Sequence, residues 1–303
     1  KTPRRQRQMC IRDRNEGGGG FTGGGSQTIP ELTVELISTY NDQTASFATS
    51  YGSFMRNFIV HTPPNFDYQT ESLPLLFVLH GYTGRAPSIR EYSGFDQIAD
   101  EERFIVVYVQ GTTDQFGNTG WNVNVVASFL GVDDVGFFKA LIKYFKASYN
   151  IDSNKIFSSG MSLGGFMSYR LACELEEINS IGSVTGSMAG YYQCNPPKKS
   201  SIIHLHGMND AIVPYNGVEW SFSAKAAHDF WKNHNQCNSQ NEITIPDFNG
   251  DGEYTTRLIS YDCEDNKSVE LYSLEGEGHT WWKKSWGHDI NTSELIWQFF
   301  QSQ

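Results

Sequence analysis

Ser162 lies in Gly160-Met161-Ser162-Leu163-Gly164, a G-x-S-x-G pentapeptide. A strand-like run at residues 155–159 precedes it, and a helical pattern follows with Leu163, Phe166, Met167 and Leu171 on one side. A serine at such a strand-to-helix turn is held in a strained backbone conformation with its hydroxyl pushed out above the sheet. The residues two before and two after it pass too close to tolerate side chains. Gly160 and Gly164 meet that demand, and Gly165 gives further room. The turn also puts the hydroxyl at a helix N-terminus, whose free N–H groups and dipole favour developing negative charge. The chemistry this suits is acyl transfer by an activated hydroxyl.

A serine hydroxyl is a weak nucleophile, so it needs a base, the base needs an orienting carboxylate, and the oxyanion needs donors. Asp210 ends His206-Gly207-Met208-Asn209-Asp210, directly after the apolar run at 202–205. His279 stands in Gly276-Glu277-Gly278-His279-Thr280, after another strand-like run. Three residues at three strand ends, in the order Ser, Asp, His, mark Ser162, Asp210 and His279 as the expected catalytic set. The other histidines compete poorly. His204 and His206 read as satisfied structural residues of a core strand, His228 and His234 as members of a surface helix, and His61 as part of an N-terminal strand. His288, beside the final helix, is the rival to His279. Asp229 and Asp289 read as solvated helix residues. The expected oxyanion donors are the backbone N–H groups of Leu163 and of Tyr82, which lies in His80-Gly81-Tyr82-Thr83-Gly84. Trp121, Trp281 and Trp282 are expected to wall the substrate site, while Trp286 reads equally as wall or core.

The elements that must carry these residues alternate in type. Residues 75–79, Leu-Leu-Phe-Val-Leu, form the short unbroken apolar run of a strand buried on both faces, and lead straight into His80. Edge strands are expected within 29–40 and at 54–61, a helix at 88–100 and a strand at 104–109. Asp133 and Asp134 read as the cap of a helix whose Val135, Phe138, Ile142, Phe145 and Tyr149 share a side. Strands at 183–187, 201–206 and 269–272, a helix at 221–234 and a last helix opened by Asn291 and Glu294 complete the pattern. The alternation predicts an α/β fold with a doubly wound, mostly parallel sheet flanked by helices, filling residues 29–303 as one catalytic domain.

With 39% hydrophobic and 14% aromatic residues the 303-residue chain is globular, and it holds no apolar run of membrane-spanning length. Residues 1–14 carry Lys1 and five arginines against Asp13, a local charge of +5, so the −11 of the whole chain leaves −16 for the rest. A body that acidic is a poor partner for nucleic acid or anionic lipid. The basic opening, with Cys10, has no apolar signal region and resembles translated adapter sequence at the edge of an assembled fragment. Gly17 to Ser26 reads as a flexible linker. Residues 1–28 are therefore expected to be non-native or disordered, with a module truncated upstream.

Taken together, LHGYTG (79–84), GWN (120–122), VDDVGFFKALI (132–142), SSGMSLGGFMSYRLACE (158–174), HLHGMNDAIVPYNG (204–217) and GEGHTWW (276–282) resemble a family of secreted esterases. That family contains the feruloyl esterases of carbohydrate esterase family 1 and the polyhydroxybutyrate depolymerases. The resemblance covers most of residues 53–300. It implies an α/β-hydrolase fold, a Ser162, Asp210, His279 triad, no metal or other cofactor, and cleavage of feruloyl or acetyl esters on plant polysaccharide, with aliphatic polyester as the alternative substrate. A catalytically inactive binding protein on the same fold is the reading from another class. Trp282 departs from the family, which has proline after His-Thr-Trp. An even count of four cysteines in a chain resembling secreted enzymes favours disulfides. The pairing expected is Cys237 with Cys263, and then Cys173 with Cys194, although four cysteines allow three pairings. Asp247, Asn249 and Asp251 copy the first half of a calcium loop, but Leu258 occupies the place of its terminal Glu, so a polar hairpin tip is the expectation.

Overall fold

The computed structural model describes residues 29–303. The basic and Gly-rich opening, residues 1–28, lies outside the described residues, as does Cys10. In chain order the strands are β1 (Val34–Thr39), β2 (Thr44–Tyr51), β3 (Phe54–His61), β4 (Leu73–Leu79), β5 (Ile105–Val109), β6 (Thr112–Thr113), β7 (Thr119–Gly120), β8 (Ile151–Met161), β9 (Ser180–Val184), β10 (Ser201–Gly207), β11 (Ser239–Ile245), β12 (Thr255–Tyr261) and β13 (Val269–Leu274). The helices are α1 (Ala86–Ser93), α2 (Phe95–Glu102), α3 (Asp134–Ser148), α4 (Leu163–Glu174), α5 (Ala224–His234) and α6 (Thr292–Gln301).

Eleven strands form one sheet in the order β1-β2-β3-β5-β4-β8-β9-β10-β13-β12-β11. The six from β5 to β13 pair in parallel, and antiparallel strands flank them on both sides. The apolar run of β4 explains its central place. Leu75, Phe77 and Leu79 point into a core shared with Phe138 and Phe145 of α3, Met167 of α4 and Trp231 of α5. Leu76 and Val78 point into the opposite core, closed by Ile89, Phe95, Ile296 and Phe300 from α1, α2 and α6. Because strand side chains alternate between faces, only a sequence apolar at every position can be buried on both. The chain enters β4, returns to β5 on one side and then crosses to β8 on the other. The carboxyl ends of β4 and β8 therefore form the topological switch where open α/β sheets bind ligands.

Four local departures from the sequence expectations have physical reasons. The helix expected at 88–100 is two helices, broken where Gly94 turns left-handed at φ 71°. The strand expected at 183–187 is β9, which stops at Val184 because Thr185 has φ 49°. Asp133 does cap α3, accepting from the Gly136 N–H at 2.9 Å, but Asp134 does not. Asp134 is fully buried, pairs with Arg56 Nη2 at 2.6 Å and accepts from the Asn122 N–H at 2.7 Å. Finally, His228 is a buried residue of α5, bonded to Ser260 at 3.2 Å, and not a surface one.

Disulfides join Cys173 to Cys194 and Cys237 to Cys263. The second bridges the foot of α5 to the end of β12. The loop holding Asp247 connects β11 to β12, and the Asp247 carboxylate accepts from the Gly250 and Gly252 N–H groups. Among the described residues no group of three or more His, Cys, Asp or Glu side chains is arranged to hold a metal ion. Nor is any described helix long and apolar enough to cross a membrane.

Candidate active site

Ser162 joins β8 to α4 at φ 54° and ψ −123°, a backbone conformation that L-residues avoid. The surroundings over-determine it. A Cβ on Gly160 would lie 2.5 Å from the Gly164 carbonyl carbon, and one on Gly164 would lie 2.8 Å from His80 O while running into Leu79 O. β8 and α4 thus meet at a contact only hydrogen can fill. Ser162 occupies the N-cap position of α4, yet its side chain makes no cap hydrogen bond.

The strand ends bring the expected base and carboxylate together. Asp210 Oδ2 accepts from His279 Nδ1 at 2.7 Å. The other carboxylate oxygen, Oδ1, accepts from the Ile212 and Val213 N–H groups at 2.8 and 2.9 Å, which fixes the carboxylate plane. Burial alone would raise the Asp210 pKa. The nearby N–H groups of His206, His279 and Val213 outweigh it and hold the carboxyl well below its usual range. His279 is 12% exposed, so its imidazole is open toward solvent on one side only. The rival His288 is committed elsewhere, its Nδ1 lying 2.5 Å from Glu277 Oε1.

The loop after β4 faces Ser162. A Cβ on Gly81 would stand 3.2 Å from Ser162 Cβ and 3.7 Å from its Oγ. His80 anchors this loop. Its Nδ1–H donates to Gly81 O at 2.7 Å, and its Nε2 accepts from the Gly111 N–H at 2.9 Å. Because burial penalises the charged ring, the His80 pKa is pushed down to about 4, and the neutral tautomer with the proton on Nδ1 is the one these partners require. Thr83 and Gly84 donate their N–H groups to Thr119 O and Gly81 O, which leaves the Tyr82 N–H without a protein acceptor among the described residues. Leu163, the first residue of α4, has an N–H that no intrahelical carbonyl can reach. One free amide thus follows Ser162 in the chain, and the other follows Gly81, the residue that faces it.

The tryptophans expected to wall the site do not. Trp121, Trp281 and Trp282 are wholly buried. Trp121 packs in the core against Phe138 and His80, with its Nε1–H on His80 O at 2.8 Å. Trp281 donates to Ser293 Oγ at 3.0 Å beneath α6. They brace the catalytic loops from behind instead of touching what lies in front. The exposed apolar side chains on those loops are Tyr82, Met208 and Ile212, while Trp286 is half-exposed and stacked on Tyr92. His206 is the other residue the sequence reading undervalued, since its Nε2 lies 3.4 Å from Asp210 Oδ2. The signal was the pair His204 and His206, two polar rings on one face of a buried strand.

A doubly wound sheet with a strained serine between a central strand and the following helix defines an α/β-hydrolase fold. Solved structures with this fold include the acetyl xylan esterase of Aspergillus awamori, with a TM-score of 0.58 at 14% identity over 89% of this chain and 100% of that one. No protein-family model matches the chain. Curated relatives are the bifunctional acetylxylan esterase/xylanase of Neocallimastix patriciarum, 25% identical over 88% of this chain and 36% of that protein, and feruloyl esterase B of Piromyces equi, 25% identical over 74% and 42%. Feruloyl esterase D of Neurospora crassa is 24% identical over 86% of both. The chain is thus similar, at 24 to 25% identity, to proteins named feruloyl esterase and acetylxylan esterase. It spans less than half the length of the two relatives from Neocallimastix and Piromyces. The polyester-depolymerase side of the resemblance gains no support from these relatives.

Proposed function

We propose that this chain is a secreted serine esterase that cleaves feruloyl or acetyl esters of plant polysaccharide through an acyl-enzyme. The observations that carry the reading are the strained Ser162 backbone, the anchored Asp210–His279 pair at 2.7 Å and the unpaired Tyr82 and Leu163 amides. In the first step Ser162 Oγ attacks the ester carbonyl carbon while His279 Nε2 takes the hydroxyl proton. Asp210 accepts from Nδ1–H throughout and stabilises the imidazolium. The carbonyl oxygen becomes an oxyanion held by the Tyr82 and Leu163 N–H groups. Collapse breaks the C–O bond, and the sugar alcohol departs with the proton from His279. Water, deprotonated by the same ring, then releases the acid and frees Ser162. The names of the relatives support the acyl classes, and the two disulfides support an oxidising compartment.

A serine-reactive phosphonate should label Ser162 alone, and Ser162→Ala should abolish both labelling and hydrolysis of p-nitrophenyl acetate. A wild-type protein that neither labels nor turns over would be a binding protein on a hydrolase fold. Substrate class follows from specificity constants for methyl ferulate, acetylated xylan and hydroxybutyrate oligomers. A preference of about tenfold, roughly 1.4 kcal/mol of transition-state binding, names the acyl group. If hydroxybutyrate wins by that margin, the polysaccharide reading is wrong.

A further inference from the structure

A buried hydrogen-bonded line ends beside Asp210, behind His279. His206 Nε2 lies 3.4 Å from Asp210 Oδ2 and 2.8 Å from Val213 O. His206 Nδ1 lies 2.9 Å from His204 Nε2, and His204 Nδ1 lies 3.0 Å from the Tyr169 hydroxyl. Tyr169, His204, His206 and Asp210 are all buried. Tyr169 belongs to α4, the helix that Ser162 opens, so the line runs from the nucleophile's helix through β10 to the base.

Its polarity follows from one atom. Val213 O can only accept, so His206 carries its proton on Nε2. In the neutral tautomer with the proton on Nε2 the His206 Nδ1 is a lone pair, to which His204 must donate from Nε2. Burial holds His204 neutral by pushing its pKa well below the ordinary value, so its Nδ1 is also a lone pair, and Tyr169 O–H must donate to it. Every bond then points the same way, ending in the His206 Nε2–H, which donates to Val213 O at 2.8 Å with Asp210 Oδ2 at 3.4 Å from the same nitrogen. Bonds aligned in a low-dielectric interior polarise one another, which makes the His206 Nε2–H a stronger donor than an isolated imidazole. Around the line, Tyr215 packs edge-on to the His206 ring at 5.8 Å and bonds Ser273 Oγ, and His228, whose Nδ1 lies 3.2 Å from Asp229 Oδ1, has its pKa pushed down by burial.

We propose that His206, backed by His204 and Tyr169, is a positioning residue that orients Asp210 and damps its basicity. The proposal rests on the triad reading. A carboxylate with the positive end of that N–H dipole 3.4 Å away binds a resting imidazolium less tightly. His279 is therefore kept available as a neutral base to a lower pH than a carboxylate without that partner would allow.

The test compares wild type with His206→Leu, His206→Gln and Tyr169→Phe, measuring kcat and KM for p-nitrophenyl acetate across the acid range. In His206→Leu the acid limb of kcat/KM should move up by about half a pH unit or more, since the unrelieved carboxylate stabilises the imidazolium. Its kcat should fall about tenfold, the scale of one charge-assisted hydrogen bond, while KM stays near the wild-type value. His206→Gln, whose amide N–H reaches where Nε2 stood, should return the limb toward wild type. Tyr169→Phe keeps the packing and should move the limb the same way by less. A folded His206→Leu protein with an unmoved limb overturns the proposal. Should that variant not fold, an unmoved limb in Tyr169→Phe overturns it equally. Phosphonate labelling of wild-type Ser162 separates the two failures: without it the triad reading falls, and with it only the role of His206 does.

Discussion

His279 and His288 are both near the mouth of the sheet, and what distinguishes them is the carboxylate each one meets. Asp210 is buried, clamped by two backbone amides and held ionised. Glu277 is a partly exposed surface partner. His279→Ala should therefore cost roughly three or more orders of magnitude in the acylation rate constant, the scale of triad removals. His288→Ala should leave the rate within a small factor of wild type. Pre-steady-state acylation of both variants decides, and the reverse pattern would move the base to His288. At this scale the sequence made the pairing of Asp210 with His279 legible, because each follows a recognisable strand. It misled at Trp121, Trp281 and Trp282 because closeness along the chain to a catalytic loop does not say which side of the loop a side chain takes. An indole beside His80 or His279 had the core available, and the core was larger.

At the scale of elements, the contact between β8, α4 and β4 is the least forgiving place in the fold. Gly164→Ala puts a methyl group against Leu79 O and His80 O, backbone atoms that cannot rotate away. Overpacking of this kind costs about 1 to 3 kcal/mol, and here relief requires Ser162 to shift. Denaturant unfolding should register that loss, and kcat should fall with it while far-UV circular dichroism stays unchanged. Normal activity in a destabilised variant would mean that the serine tolerates displacement. The elements that could be read in the sequence were those with a strong period: β4 with apolar residues at every position, α3 with its helical stripe, and α4 after the glycine turn. β11 could not be read. Its SQNEITI is exposed at almost every residue, and a strand held by one neighbour's backbone shows no apolar alternation. β1, exposed along most of its length, was caught only as part of a longer segment.

For the whole molecule, two terms tie stability to conditions. The disulfides close loops of 21 and 26 residues by sequence separation. Breaking a bridge of this kind typically costs about 2 to 5 kcal/mol. A thiol reductant should lower the melting temperature by several degrees, and a melt unaffected by complete reduction would end the argument for an oxidising compartment. The second term is acid. His80 is held near pKa 4 in the fold against about 6.5 unfolded. Above the unfolded value both states are neutral and pH has no hold through this group. Between about 6.5 and 4 the unfolded chain takes a proton the native ring refuses, so stability falls as pH falls, by roughly 3 kcal/mol at most. His204, depressed for the same reason, adds to the loss. Melting temperatures should decline through that window, and a flat profile would mean that neither ring is sealed as described.

The place of β4 has a consequence for how the chain is made. Synthesis delivers β4 and β5 early, but the second edge of β4 is closed only by β8, whose Ile156 to Gly160 pair with Leu75 to Leu79. One face of β4 waits longer still for Ile296 and Phe300 of α6, which follows every strand of the sheet. Throughout that interval the nascent chain presents an open, wholly apolar strand edge, the form most prone to pairing with a neighbour. Fragments ending before β8 should collect as aggregates on any ribosome. Chains halted before α6 would stay dependent on chaperones, so removing α6 is the poorer route to a smaller protein.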